Sequence, residues 1–399
     1  MKNQTFSKIN FILGGLVLLS LLLFPDITVK LGLPKIKFID ILFPFIITVL
    51  FVQRKSINWR LTYKIILAFC AYILFVVIFN GRYAIVRDYF ELYKILKFLS
   101  VIILFTLIEH EKFLRFWIKP IFVVVVLGNI IHYFEWLGLN PILEKHYDGG
   151  IHIQLFGLNY AGQPDMKRMV GFAGNPNINA IVFGFFSILF FPNLHKPKSQ
   201  FVWFFVAILM FFLCQSRTNF IALTASMIFV FIWFRNQLKF NFVLLGVVLV
   251  AFLISFWVST NSYINLLFEK KIVQNSSLLA RIDIWKMLWE MIKEKPFFGH
   301  GPNKEFFYER DLYAENEFIL QTWRYGFVGL FIFLGILLTP LFSALKNKLT
   351  SCSFELILFT GFILVNSLTN TPFTNPIINI LFAIVIGLYF ANLKPQKSL

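Results

Sequence analysis

Four segments of the chain gather the residue types that handle phosphates and protons. The first is Lys167-Arg168-Met169-Val170-Gly171-Phe172-Ala173-Gly174-Asn175-Pro176-Asn177, and the second is Gln215-Ser216-Arg217-Thr218-Asn219. The third opens with Ala280-Arg281, continues through Trp285 and Trp289, and ends in Lys295-Pro296-Phe297-Phe298-Gly299-His300-Gly301. The fourth is Ala314-Glu315-Asn316-Glu317-Phe318-Ile319-Leu320, leading to Arg324-Tyr325-Gly326 and Gly329. Arginine's planar fork binds phosphate bidentately and stays charged beside lipid, and a carboxylate can take the proton of a hydroxyl. The common catalytic signatures GxxxxGK, HExxH and GxSxG do not occur. The histidines are scattered, no Asp-x-Asp pair offers a divalent-cation site, and Cys70, Cys214 and Cys352 form no CxxC pair. A disulfide framework and a thiolate metal site are therefore not expected. No metal and no cofactor are expected.

The elements that must carry these segments are set by composition. Of 399 residues, 58% are apolar and only 14% charged, with a mean hydropathy of +0.74. A soluble chain covers itself with about a quarter charged residues, so this one is expected to face lipid. The backbone must then pair internally, which selects helices of about 20 residues. Candidate spans lie near 9–25, 38–53, 62–80, 95–109, 116–137, 174–192, 200–214, 218–235, 240–259, 326–345, 354–369 and 376–393. The expected fold is all-α: one polytopic membrane domain over 1–399 with about twelve transmembrane helices. Lys2 and Lys8 before the first apolar run read as the flank of an uncleaved span.

The net charge of +17 would suggest nucleic acid in a soluble domain, but here the cations sit in short loops and set topology. Lysines and arginines such as Arg54, Lys55, Lys112, Arg115, Lys196, Arg235 and Lys346 follow the positive-inside rule if both termini are cytoplasmic. All four chemical segments then fall on the outer face. Two outer loops are long, about 138–173 and 260–317. In the second, Ile282, Trp285, Leu288, Trp289 and Ile292 recur at helical spacing. Pro296 then stops the helix, and 299–303 makes a tight turn.

Together and in this order the segments resemble the O-antigen ligase and polymerase family of bacterial surface-polysaccharide enzymes. That family has R-x-x-G-x-x-x-N-P-N, then an S-R turn, then R followed by W and an N-P-x-x-G-x-G turn, and finally H-N, E-N or D-N opening a helix. The resemblance covers about 160–335 by motif and the whole chain by topology. It implies a glycosyltransferase-C-like membrane fold in the plasma membrane. The implied partners are undecaprenyl-diphosphate-linked oligosaccharides as donor and acceptor, the bilayer, and a protein that regulates chain length.

The carried-over catalytic residues are Arg217 and Arg281, which would neutralise the departing diphosphate, and Glu315 as base with Glu317 second. Arg168, Asn316, Glu317, Trp285 and Arg324 would contact substrate. Family ligases carry histidine where this chain has Glu315, which favours polymerase over ligase, the near alternative. A lipid-linked oligosaccharide flippase is the alternative from another class, but transporters bury charge at the midplane and show related halves, and neither pattern is present here.

Each of these residues also has a structural reading. Arg168 can anchor a span at the headgroups, and Arg281 can be a surface residue at a helix start. Glu315 can favour a helix dipole. Asn175-Pro176-Asn177 can cap the sixth span, and Trp285 and Trp289 can anchor at the interface. The Arg82, Arg87, Asp88, Glu91 and Lys94 cluster can lie in the interface or touch a lipid diphosphate.

Overall fold

The structure, a computed structural model, describes residues 2–25, 36–80, 86–139, 142, 168–193, 196, 199–234, 276–310, 312–347 and 349–393. Among these it is helical, with no strand. In chain order the helices are α1 (Lys2–Leu22), α2 (Phe38–Val52), α3 (Leu61–Phe79), α4 (Val86–Thr106), α5 (His110–Phe134), α6 (Pro176–Leu189) and α7 (Gln200–Leu213). They continue with α8 (Arg217–Phe234), α9 (Ser276–Glu294), α10 (Lys304–Glu309), α11 (Glu317–Lys346), α12 (Ser351–Asn366) and α13 (Pro376–Ala391).

Every expected span except the one near 240–259 coincides with a helix, and that one lies outside the described residues. Among the described helices α1, α3, α5, α8 and α11 are long and apolar enough to cross a membrane, by length and composition; α2, α6, α7, α12 and α13 are shorter apolar helices. This is a membrane protein.

The main core is rich in phenylalanine. Phe122 meets Phe186 and Phe190 with ring centroids 4.9 and 5.2 Å apart, and Phe359 and Phe382 join α12 to α13. Large side chains such as Phe51, Ile78, Trp233 and Phe331 point outward, as lipid-facing positions do. The helices pair as α4 with α13, α8 with α12, α6 with α7 and α3 with α11, while α9 lies along α11.

The end of the bundle where α12 begins is closed by a buried ionic cluster. Glu355 accepts from Lys196 at 2.8 Å and pairs with His110 at 3.0 Å. Ser351 adds a hydrogen bond to Glu355 at 3.1 Å. His110, Cys352 and Glu355 stand close enough together to hold a metal ion, but the Lys196 ammonium already balances the carboxylate. Removing one partner of a buried pair strands the other charge. Glu355→Ala is therefore expected to cost about 3–5 kcal/mol, read as a lower melting temperature in nanodiscs.

Candidate functional site

The four segments meet at the opposite end of α12. Asn175 caps α6, accepting from the backbone N–H of Asn177 at 2.8 Å and of Ile178 at 3.3 Å, with Pro176 in the first turn. This capping role was legible in the sequence. Arg168 donates from Nε to the Cys214 carbonyl at 3.2 Å and from its fork to Asn177 Oδ1 at 3.0 Å. The same Asn177 oxygen accepts from Ser216 at 2.8 Å, and Asn219 donates to the Asn177 carbonyl and to Ser216, both at 2.8 Å. The first two segments are thus one polar network. Gly171 makes that possible: with φ +55°, a Cβ there would overlap Asn129, whose Oδ1 accepts from Asn179 at 2.7 Å.

Asn219 continues the line. It pairs with Asn366 at the end of α12, and the neighbouring Ser367 carbonyl accepts from the Glu317 N–H at 2.9 Å. Asn316 caps α11 by accepting from Ile319 N–H at 3.0 Å, and its amide donates to the Leu368 carbonyl at 2.9 Å. One residue earlier, Glu315 forms an ion pair with Arg281 on α9. Trp285, one turn further along α9, donates from Nε1 to the Ala314 carbonyl at 2.6 Å. Glu315 has φ +44°, an unfavourable conformation for a non-glycine residue, and such strain concentrates at functional sites.

The third segment seats the fourth. Helix α11 breaks at Gly326, where φ is +64° and ψ −174°, and the break frees backbone groups that must find other partners. His300 N–H donates to the Trp323 carbonyl at 2.9 Å and Gly301 N–H to the Arg324 carbonyl at 2.8 Å. Phe327 N–H donates to the Pro296 carbonyl at 2.8 Å, and the Tyr72 hydroxyl donates to the Tyr325 carbonyl at 2.8 Å. His300 stacks on Trp323 with centroids 5.2 Å apart and donates from Nε2 to the Met291 carbonyl at 2.9 Å. Burial lowers its pKa, against the opposing pull of that hydrogen bond.

Arg217 is exposed at the first position of α8. Arg281 and Glu315 are joined, while Glu317 is wholly buried, with its carboxylate oxygens accepting from Gln321 at 2.7 Å and from Phe373 N–H at 3.0 Å. Through these bonds Glu317 positions the α12–α13 connection. The Asn316 side-chain oxygen caps α11 while its nitrogen donates to the Leu368 carbonyl, so it too holds the turn. The helix expected over 281–292 is present and longer, and Leu288 and Ile292 bury against α11. Trp289 is 46% exposed and leaves the apolar stripe.

Beside Ala314 opens a cavity of about 730 Å³ between α2, α4, α10 and α11, lined among others by Lys94, Lys97, Lys304 and Arg324. Lys97 and Lys304 escaped the sequence reading. The signal was present for Lys97: Glu91, Lys94 and Lys97 recur every three residues along α4, which puts them on one face.

A family model described as O-Antigen ligase matches residues 202–334, a stretch that contains Arg217, Arg281, Glu315 and Arg324. No curated protein matches the chain. The matched stretch holds three of the four segments, and the first is hydrogen-bonded directly to the second, so over residues 202–334 the chain is similar to the O-antigen ligase family.

Proposed function

We propose that this protein is a polysaccharide polymerase of the outer face of a bacterial plasma membrane. It moves a growing glycan from one undecaprenyl-diphosphate carrier to the non-reducing end of another lipid-linked repeat unit. The observation that carries this reading is the Arg281–Glu315 pair, set at the end of a hydrogen-bonded line running back to Arg168.

A bond forms between the acceptor hydroxyl oxygen and the donor's anomeric carbon, and the bond from that carbon to the diphosphate oxygen breaks. The hydroxyl proton passes to Glu315, and undecaprenyl diphosphate leaves. Attack opposite the leaving group inverts the anomeric centre. Fixed cations aimed at the developing charge are the largest help such a step can receive, and Arg217 and Arg281 supply them. In the resting pair Glu315 neutralises Arg281. When a donor diphosphate takes the guanidinium, the carboxylate is released to act as base. Glutamate in place of the histidine of family ligases favours polymerase over a ligase that passes finished glycan to lipid A core or protein.

Purified protein in liposomes, given synthetic undecaprenyl-diphosphate-linked repeats, is expected to yield a ladder of lengths. A single addition to a different acceptor would support the ligase, and outer-leaflet delivery of unjoined repeats would support a flippase. Glu315→Gln is expected to lower ladder formation by about 10²–10⁴-fold, the range of general-base contributions.

A further inference from the structure

The cavity beside the site holds more positive charge than the chemistry at Arg281 uses. Lys37, Lys94, Lys97, Lys304 and Arg324 line it against two carboxylates, Asp40 and Glu91. Those carboxylates are already shared. Glu91 lies 3.0 Å from the Lys94 ammonium and 2.9 Å from that of Lys304. Asp40 pairs with Lys97 and accepts from the Tyr93 hydroxyl at 2.7 Å.

Arg324 lies within electrostatic reach of Glu91 and of the buried Glu317. It is only 7% exposed, and its Nε is buried without a hydrogen-bond partner. Its guanidinium carbon lies 5.9 Å from the centre of the Phe307 ring. A guanidinium withdrawn from water with an unmet donor is costly, and the cost is removed when an acceptor enters the cavity. The remaining wall is mostly apolar, with Ile36, Ile41, Phe90, Phe307, Leu312 and Leu320 beside the hydroxyls of Tyr93, Tyr313, Thr371 and Thr374. Surplus positive charge beside apolar side chains suits the head of a lipid whose anionic group is a multiply charged phosphate. A guanidinium fork flanked by ammonium groups is the donor set that holds diphosphate.

Arg217 and Arg281 are not among the cavity's lining residues, whereas Tyr313 and Ala314 are. The cavity therefore opens next to Glu315 without sharing the arginines that serve the departing group. We infer that it is a second diphosphate seat, occupied by the carrier of the acceptor repeat, whose sugars run past Ala314 to present a hydroxyl to Glu315. Naming the acceptor rests on the polymerase reading; recognition of a lipid diphosphate does not.

The test is binding without turnover. The full chain in phosphatidylcholine nanodiscs is titrated with radiolabelled undecaprenyl diphosphate, comparing wild type with Arg324→Gln, Lys97→Gln and Arg281→Ala. Thermal melting of each variant serves as the folding control. Wild type is expected to bind a first and a second equivalent. Arg324→Gln should lose one of them or weaken it about tenfold or more, while Arg281→Ala should retain that one and weaken the other. Should Arg324→Gln fail to fold, Lys97→Gln provides the same readout. Undiminished binding in folded Arg324→Gln and Lys97→Gln would overturn the proposal. So would displacement by phosphatidylglycerol or a uronic-acid oligosaccharide at the concentration where undecaprenyl diphosphate binds. Equal occupancy by inorganic pyrophosphate would overturn the lipid source. A protein that loses the second equivalent on Arg324→Gln yet makes no ladder keeps the cavity and sinks the polymerase.

Discussion

Arg281→Ala and Arg217→Ala are each expected to lower polymer formation by about 10²–10³-fold, the usual loss when one preorganised donor to a developing anion is removed. The effect should fall on turnover at saturating lipid-linked repeat. Stability should hardly move: Arg281 and Glu315 are each about one third exposed, and ion pairs reached by solvent contribute little to folding. Arg217 stands exposed at a helix start, outside the core. Arg217→Lys should rescue poorly, because an ammonium is a point charge and cannot offer the two parallel donors of a guanidinium. Ladder yield and melting temperature measured on the same preparations separate the catalytic loss from a folding defect.

The second large effect is expected from a glycine. Gly326 interrupts α11 with φ +64° and ψ −174°, a region that side chains essentially do not enter. A Cβ there would overlap the Phe297 carbonyl. Gly326→Ala should therefore cost at least ~1–3 kcal/mol in backbone strain alone, and it should dislodge the 296–301 turn from Trp323 and Arg324. Both the rim and the cavity would lose their geometry, so ladder formation should be abolished along with a fall in melting temperature. Gly335→Ala in the same helix is the control. Its Cβ would meet Ile65 at an ordinary 3.5 Å, so stability should be unchanged or slightly raised. An active and stable Gly326→Ala protein would show that the break in α11 does not hold the site.

How much of this was legible in the sequence depends on whether a feature is local. Asn175 before Pro176 announced a cap because capping is a matter of adjacent residues. The apolar runs announced helices because lipid leaves the backbone no alternative. The amphipathic period of 281–292 announced α9, and Pro296 announced its end. What the sequence did not disclose depends on partners far away in the chain. The burial of Glu317 follows from Phe373 and Gln321 closing on it, and the exposure of Trp289 from the direction in which α9 meets α11. The break at Gly326 is stable only because Pro296, His300, Gly301 and Tyr72 take up the freed backbone groups. The lysine cavity joins α2, α4 and α10, and no window along the chain contains all three. Its α4 edge, Glu91 and Lys94, and Arg324 on α11 stood out beforehand, but nothing local joined them.

The central claim is that a guanidinium at position 281 neutralises the departing diphosphate. The most direct measurement is chemical rescue in the reconstituted polymerisation assay. Arg281→Gly protein supplied with lipid-linked repeats should make no ladder in sodium or ammonium chloride, and should regain it in guanidinium at equal ionic strength below denaturing concentration. A full ladder from Arg281→Gly with no added guanidinium would contradict the account.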